Sequence, residues 1–218
     1  MLGPGRDDRG TRRDDRAQAH TLEAFAAAIL LVAGVTFALQ ATAVTPLSAS
    51  TSNQHIENQQ RAVANDLLAT AAENGDLAEA VLYWDPGDGD AGHAFAGSPE
   101  ESEHYAQAGP PTAFGTALNR TFLDRRVAFN VDVRYRTTNG TDSQRLVYMG
   151  TPSDNAVSAT RTVPVADDTT LTAPGHEGAT LESVEPSSPD DDSGFYAPDV
   201  GSGAAYNYLE VTVVVWRM

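Results

Sequence analysis

The sequence predicts an α+β fold: a long N-terminal helix, short helices after it, and an antiparallel β-sheet that ends the chain. Three observations carry this. Residues 18–45 form an apolar run in which nothing after Glu23 is ionisable. From Gln54 to Asn74 hydrophobic side chains recur at helical spacing. From Val127 the period changes to two, and a valine-rich strand returns from Leu209. Helices first and strands second place the chain in the α+β class.

Residues 1–17 hold five Arg and four Asp and almost no apolar side chain, so they read as a disordered leader that is removed. Arg12-Arg13 is followed by Asp-Asp-Arg, not by the hydrophobic pair of a twin-arginine signal. A slightly basic leader ahead of an apolar run places the N-terminus in the cytoplasm and the rest outside. From Ala24 to Thr45 the run spans roughly 33 Å as a helix, enough for a bilayer core of about 30 Å. Glu23 stands at its start, where a helix dipole favours a negative charge, and Thr21 is the expected cap. Ala41-Thr42-Ala43 has the small-x-small form of a secretory cleavage site, which would release a product beginning at Val44. An acid on the apolar run argues against that reading.

Pro46 marks a kink or break, and the residues up to Asn53 are small and polar. The helix then resumes with Ile56, Val63, Leu67, Leu68 and Ala71 along one side. Glu57 and Arg61 are spaced to pair, and Gly75 acts as a stop. Asp76 and Glu79 have capping-box spacing for a short helix over Leu77–Trp84. Residues 85–111, rich in Gly, Pro and acids, read as a surface loop. A further helix is expected over Thr112–Arg125, with Phe114, Leu118 and Phe122 on one face. Val127, Phe129, Val131, Val133 and Tyr135 then alternate with polar neighbours as a half-buried strand. Asn139-Gly140 signals a hairpin turn, and Leu146–Met149 is the returning strand. Val157–Val165 is a third strand, held to an edge or ended by Pro164. Residues 166–208 read as loop.

The chain has 218 residues, a formal charge of -16 and a pI near 4.4. All 14 basic residues are Arg. After the leader, nine Arg face 26 acids. Such a Lys-free acidic surface suits strong salt and suggests a halophilic archaeon. It argues against nucleic acid as a partner, which needs a basic patch. Without cysteine there is no disulfide, zinc-thiolate site or thiol nucleophile. The five His at 20, 55, 93, 104 and 176 form no ligand spacing, and no nucleophile-elbow or phosphate-loop motif occurs. The expectation is therefore no enzyme, no cofactor and no metal. The Asp85, Asp88, Asp90 group and the Asp190-Asp191-Asp192 run could reach calcium but read as solvated surface. Asn119 and Asn139 head N-x-[ST] sequons; Asn139, in an expected turn, is the better acceptor for N-glycosylation.

Arg16-Ala17-Gln18-Ala19, then Glu23, then an uninterrupted apolar helix, resemble the class III signal of archaeal type IV pilins and flagellins. The resemblance is close over residues 16 to about 73 and general in character beyond. It implies cleavage by a prepilin peptidase between Ala17 and Gln18, making Glu23 the sixth residue of the product. A bacterial-style register, with Glu23 fifth, would cut between Gln18 and Ala19. In that family the matching Glu pairs with the N-terminal amine of a neighbouring subunit. The implied organisation is a cleaved leader over 1–17, a membrane and filament-core helix over 18–45, its amphipathic continuation over 46–75, and an acidic exterior α+β domain over 76–218. The implied function is a structural subunit, a minor pilin given its large loops. It would be held in the cell membrane and then assembled with other pilin subunits into a surface filament for adhesion or display. The alternatives are an anchored extracellular binding module that never assembles, and a secreted protein cut after Ala43.

Overall fold

The computed structural model describes residues 8–87, 93–99, 102–185 and 194–218; the side chains of 8–19 and 40–53 lie outside that description. The chain divides into two compact units, Met1–Gln54 and His55–Met218. Helix α1 runs from Asp8 to Asn74. The leader is thus helical from Asp8 onward, where disorder was expected. Its Arg9, Arg12, Arg13, Arg16 and Ala17 are good helix formers and extend the apolar helix backwards. Thr21 consequently lies inside the helix and cannot cap it. Pro46 does not end the helix either. A proline forfeits one backbone bond locally, and residues on both sides remain helical.

In the second unit α1 buries Ala64, Leu68 and Ala71, with Val63, Leu67 and Ala72 packed beside them. The buried stripe is centred on Ala64 and Leu68, not on Ile56 and Val63, because small residues let the helix approach most closely. Arg61 donates to Asn58 Oδ1 at 3.2 Å, one turn back, in place of the expected pairing with Glu57. Gly75 adopts a left-handed φ of 85° and ends α1. It is also the N-cap of α2 (Asp76–Val81), so no side chain caps that helix and the capping box is not formed. Instead the Glu79 N–H bonds the Gly75 carbonyl at 3.0 Å. Asp76 falls inside the first turn, where its negative charge still meets the positive end of the helix dipole favourably.

α2 stops at Val81, short of the expected Trp84. Trp84–Asp85 (β1) instead pairs with Ala94–Phe95 (β2) in a two-stranded ribbon. Trp84 and Phe95 are both fully buried, so the segment expected as surface loop contributes to the core. The Trp84 indole N–H donates to the Gly194 carbonyl at 2.8 Å. Its ring packs edge-on against Phe95 and Tyr196, with centroids at 5.1 and 5.0 Å. Tyr196 donates its hydroxyl to the Val81 carbonyl at 3.0 Å, and burial pushes its phenol well above the ordinary pKa. Helix α3 (Ala113–Thr121) is capped by Thr112, whose hydroxyl accepts from the Gly115 N–H at 3.4 Å. Phe114, Leu118 and Phe122 are buried, as their spacing predicts, and a 3-10 turn over Leu123–Arg125 completes the segment.

The four-stranded sheet comprises β3 (Val127–Thr137), β4 (Gly140–Tyr148), β5 (Val157–Ala166) and β6 (Ala205–Arg217) in the order β4-β3-β6-β5, with every pair antiparallel. The last strand therefore sits in the middle, between the first and the third. Residues opposite each other share a face. Val147, Val131, Val213 and Ala159 form one buried row across all four strands. In the row of Val133 and Val211 the flanking positions are Gln144 and Arg161, because there the core ends at the sheet edges. The hairpin turn lies on Thr138 and Asn139, with Thr137 opposite Gly140, one residue earlier than Asn139-Gly140 would place it.

Two features depart from simple alternation. Ala128 and Asn130 are buried although they belong to the open face. The loop after β4 folds over Asn130, whose Nδ2 donates to the Gly150 carbonyl at 2.9 Å and whose Oδ1 accepts from the Met149 N–H at 2.8 Å. Both sheet edges are also blunted. Tyr105 exchanges backbone bonds with Leu146 and Tyr148 along β4, and Pro164 withholds a donor on β5.

Candidate functional site

The segment His20–Leu39 is a 20-residue stretch of α1 with a mean hydropathy of 2.2, none of it buried within the chain. At 1.5 Å per residue it is about 30 Å long, the thickness of a bilayer hydrocarbon core. Leu30 and Phe37 are about three-quarters exposed, at 73% and 75%. Among the described residues the exposed large apolar side chains outside this segment are Tyr208 and Met218. From Ala24 to Leu39 the helix is apolar on all sides, so that segment has no face suited to water. Its polar groups are satisfied internally: the Thr36 hydroxyl donates to the Val32 carbonyl at 2.8 Å. Such a helix is compatible with a membrane anchor or a signal sequence.

Glu23 marks the polar end of this segment. Its carboxylate lies 3.5 Å from His20 Nδ1, one turn back, and both side chains are largely exposed. The pair is ionic only when the imidazole is protonated, and an exposed pair of this kind adds little to stability. The i,i+3 spacing of His20 and Glu23 was the sequence signal for it. The Glu23 carboxylate is thus largely exposed at the polar end of the segment. Ala17 and Gln18 lie in the backbone of α1, and their side chains, like that of Ala43, fall outside the described residues.

The two sequons part company. Asn139 is exposed in the β3–β4 turn, with Thr141 also exposed. Asn119 is half-buried in α3, and its Oδ1 accepts the Gly109 N–H at 2.9 Å. In a glycosylating host, Asn139→Gln is expected to lower the intact mass by one glycan, and Asn119→Gln to leave it unchanged. Asp85 accepts the Gly87 N–H at 3.0 Å and lies 3.2 Å from His176 Nε2. Asp88, Asp90 and the Asp190-Asp191-Asp192 run lie outside the described residues. Among the described residues no cluster of His, Asp or Glu could hold a metal ion.

A family model described as a family of unknown function (DUF7288) matches residues 16–215. The chain belongs to DUF7288. What that family shares therefore includes both the apolar helix and the sheet domain up to its last strand. No curated protein and no solved structure matches the chain.

Proposed function

We propose that this DUF7288 chain is a type IV pilin-like structural subunit of minor-pilin character, held in the membrane by its apolar helix and then packed into a surface filament. One observation carries the reading. A single helix is apolar and nowhere buried over His20–Leu39, yet contributes Ala64, Leu68 and Ala71 to the core of an acidic domain. A disposable signal sequence has no need to share a helix with the folded domain. A subunit that exchanges lipid for the helices of its neighbours does. Glu23, exposed at the boundary, supplies the charge that a neighbour's N-terminal amine would meet, and the Ala17–Gln18 bond, or the one after it, is the place for a prepilin peptidase to expose that amine.

The acidic domain then faces the medium, where adhesion or display is its role, with no cofactor and no chemistry of its own. Shearing cells of the native host tests the assembly step. The chain is expected in the sheared filament fraction, labelled along filaments by an antibody to the sheet domain. Recovery in the membrane fraction alone would instead identify a non-assembling anchored binding module.

A further inference from the structure

The open face of the sheet carries a built groove. The β3–β6 ladder ends at the pair Arg134–Glu210. Beyond it the buried side chain of Asn207 replaces the missing rungs. Its Oδ1 accepts the Arg136 N–H at 3.2 Å, and its Nδ2 donates to the carbonyls of Arg136 and Pro198 at 3.0 and 2.7 Å. Asn207 thus fixes the spacing of two strands that no longer bond each other directly. The groove has a volume of about 440 Å³ and is lined by Arg134, Arg136, Thr141, Thr162, Tyr208 and Glu210. The Arg136 guanidinium lies 5.5 Å from the centre of the Tyr208 ring. Among the described residues, no ion pair ties Arg134 or Arg136 to an acid.

Two unpaired guanidinium groups are conspicuous on a domain where 26 acids outnumber nine Arg. We propose that this groove binds a carboxylate-bearing saccharide. The two arginine forks match a carboxylate with charge-assisted hydrogen bonds. Tyr208, 46% exposed, offers ring surface for the apolar face of a sugar. Thr141 and Thr162 present hydroxyls, and Glu210 accepts hydrogen bonds from sugar hydroxyls. That lining favours a saccharide over an acidic protein surface, because Tyr208, Thr141, Thr162 and Glu210 offer partners for the ring face and hydroxyls of a sugar that a row of carboxylates alone would not use. The volume falls within the range of small-ligand sites. The site belongs wholly to the sheet domain, so it stands whether or not the chain assembles into filaments.

Calorimetric titration of the full chain in detergent micelles tests this, with oligoglucuronate as probe and a neutral maltooligosaccharide and poly-glutamate for comparison. Saturable binding of oligoglucuronate is expected, with none of the neutral sugar. The double variant Arg134→Ala/Arg136→Ala is expected to weaken binding at least about tenfold, and Tyr208→Ala about tenfold. Arg161→Ala, which removes an exposed arginine of the same sheet outside the groove, is expected to change it by less than about twofold. Thermal melting of each variant verifies that the domain is folded. Absence of saturable binding would overturn the proposal. So would an equal loss in Arg161→Ala, which would mean diffuse charge attraction. Binding of poly-glutamate as tight as that of the saccharide, indifferent to Tyr208→Ala, would make the groove an acidic-peptide site instead.

Discussion

Glu23→Ala is expected to leave the chain in the membrane and to remove it from sheared filaments, with recovery down by at least about tenfold. The two effects have opposite physical origins. For membrane retention the acid is a cost: insertion scales charge about 2.5–3.5 kcal/mol for an acid at mid-bilayer and less at the edge. Removing it makes the helix a better anchor. For assembly, as proposed, the acid would be the partner of a neighbouring amine in apolar surroundings. Deleting one member of such a pair leaves an uncompensated charge, typically a penalty of about 3–5 kcal/mol. Glu23→Gln, which keeps the shape and loses the charge, is expected to fail in the same direction. The exposure of Glu23, which contacts His20 among the described residues, is compatible with this role. Wild-type amounts of Glu23→Ala in filaments would remove the charge from the account of assembly. Loss from the membrane as well would point to a helix that fails to insert.

Trp84→Ala is expected to destabilise the sheet domain by about 3–5 kcal/mol, the usual cost of emptying a large aromatic site in a core. The ring is fully buried against Phe95 and Tyr196, and the Gly194 carbonyl would lose its indole donor. Both terms act together, since the cavity forms where a carbonyl is left unpaired. In a chain of this size each kcal/mol lowers the melting temperature by roughly 2–4 °C. Denaturant unfolding of the full chain in detergent should show an earlier midpoint. A loss below about 1 kcal/mol would mean that the ribbon of β1 and β2 is not anchored as described.

Local periodicity made much of the fold legible. The two-residue period from Val127, the faces of Phe114, Leu118 and Phe122, and the edge position of Pro164 all follow from patterns within a few residues. What was not legible depends on distant partners. Trp84 reads as the end of a helix and Phe95 sits in a stretch whose glycines, prolines and acids read as loop, yet Gly194 and Tyr196, far along the chain, pack with both in the core. Gly75 displaced Asp76 from the cap position because two helices meet there without a linker. Asn207 had no sequence signature at all. Its role appears only where the β3–β6 ladder runs out, and with it the groove beside Arg136 and Tyr208. At the candidate site the apolar run and Glu23 could be read directly. The His20 contact was readable in principle, from its one-turn spacing.

On the proposed reading the apolar helix stays on the mature protein while the leader is removed. The mass of the mature N-terminal peptide, from membrane and sheared fractions of the native host, tests it most directly. A start at Gln18 or Ala19 is expected, with residues up to Thr45 retained. A start at Val44 would contradict it and make the helix a discarded signal, and an intact Met1 would contradict it by leaving an unprocessed anchor.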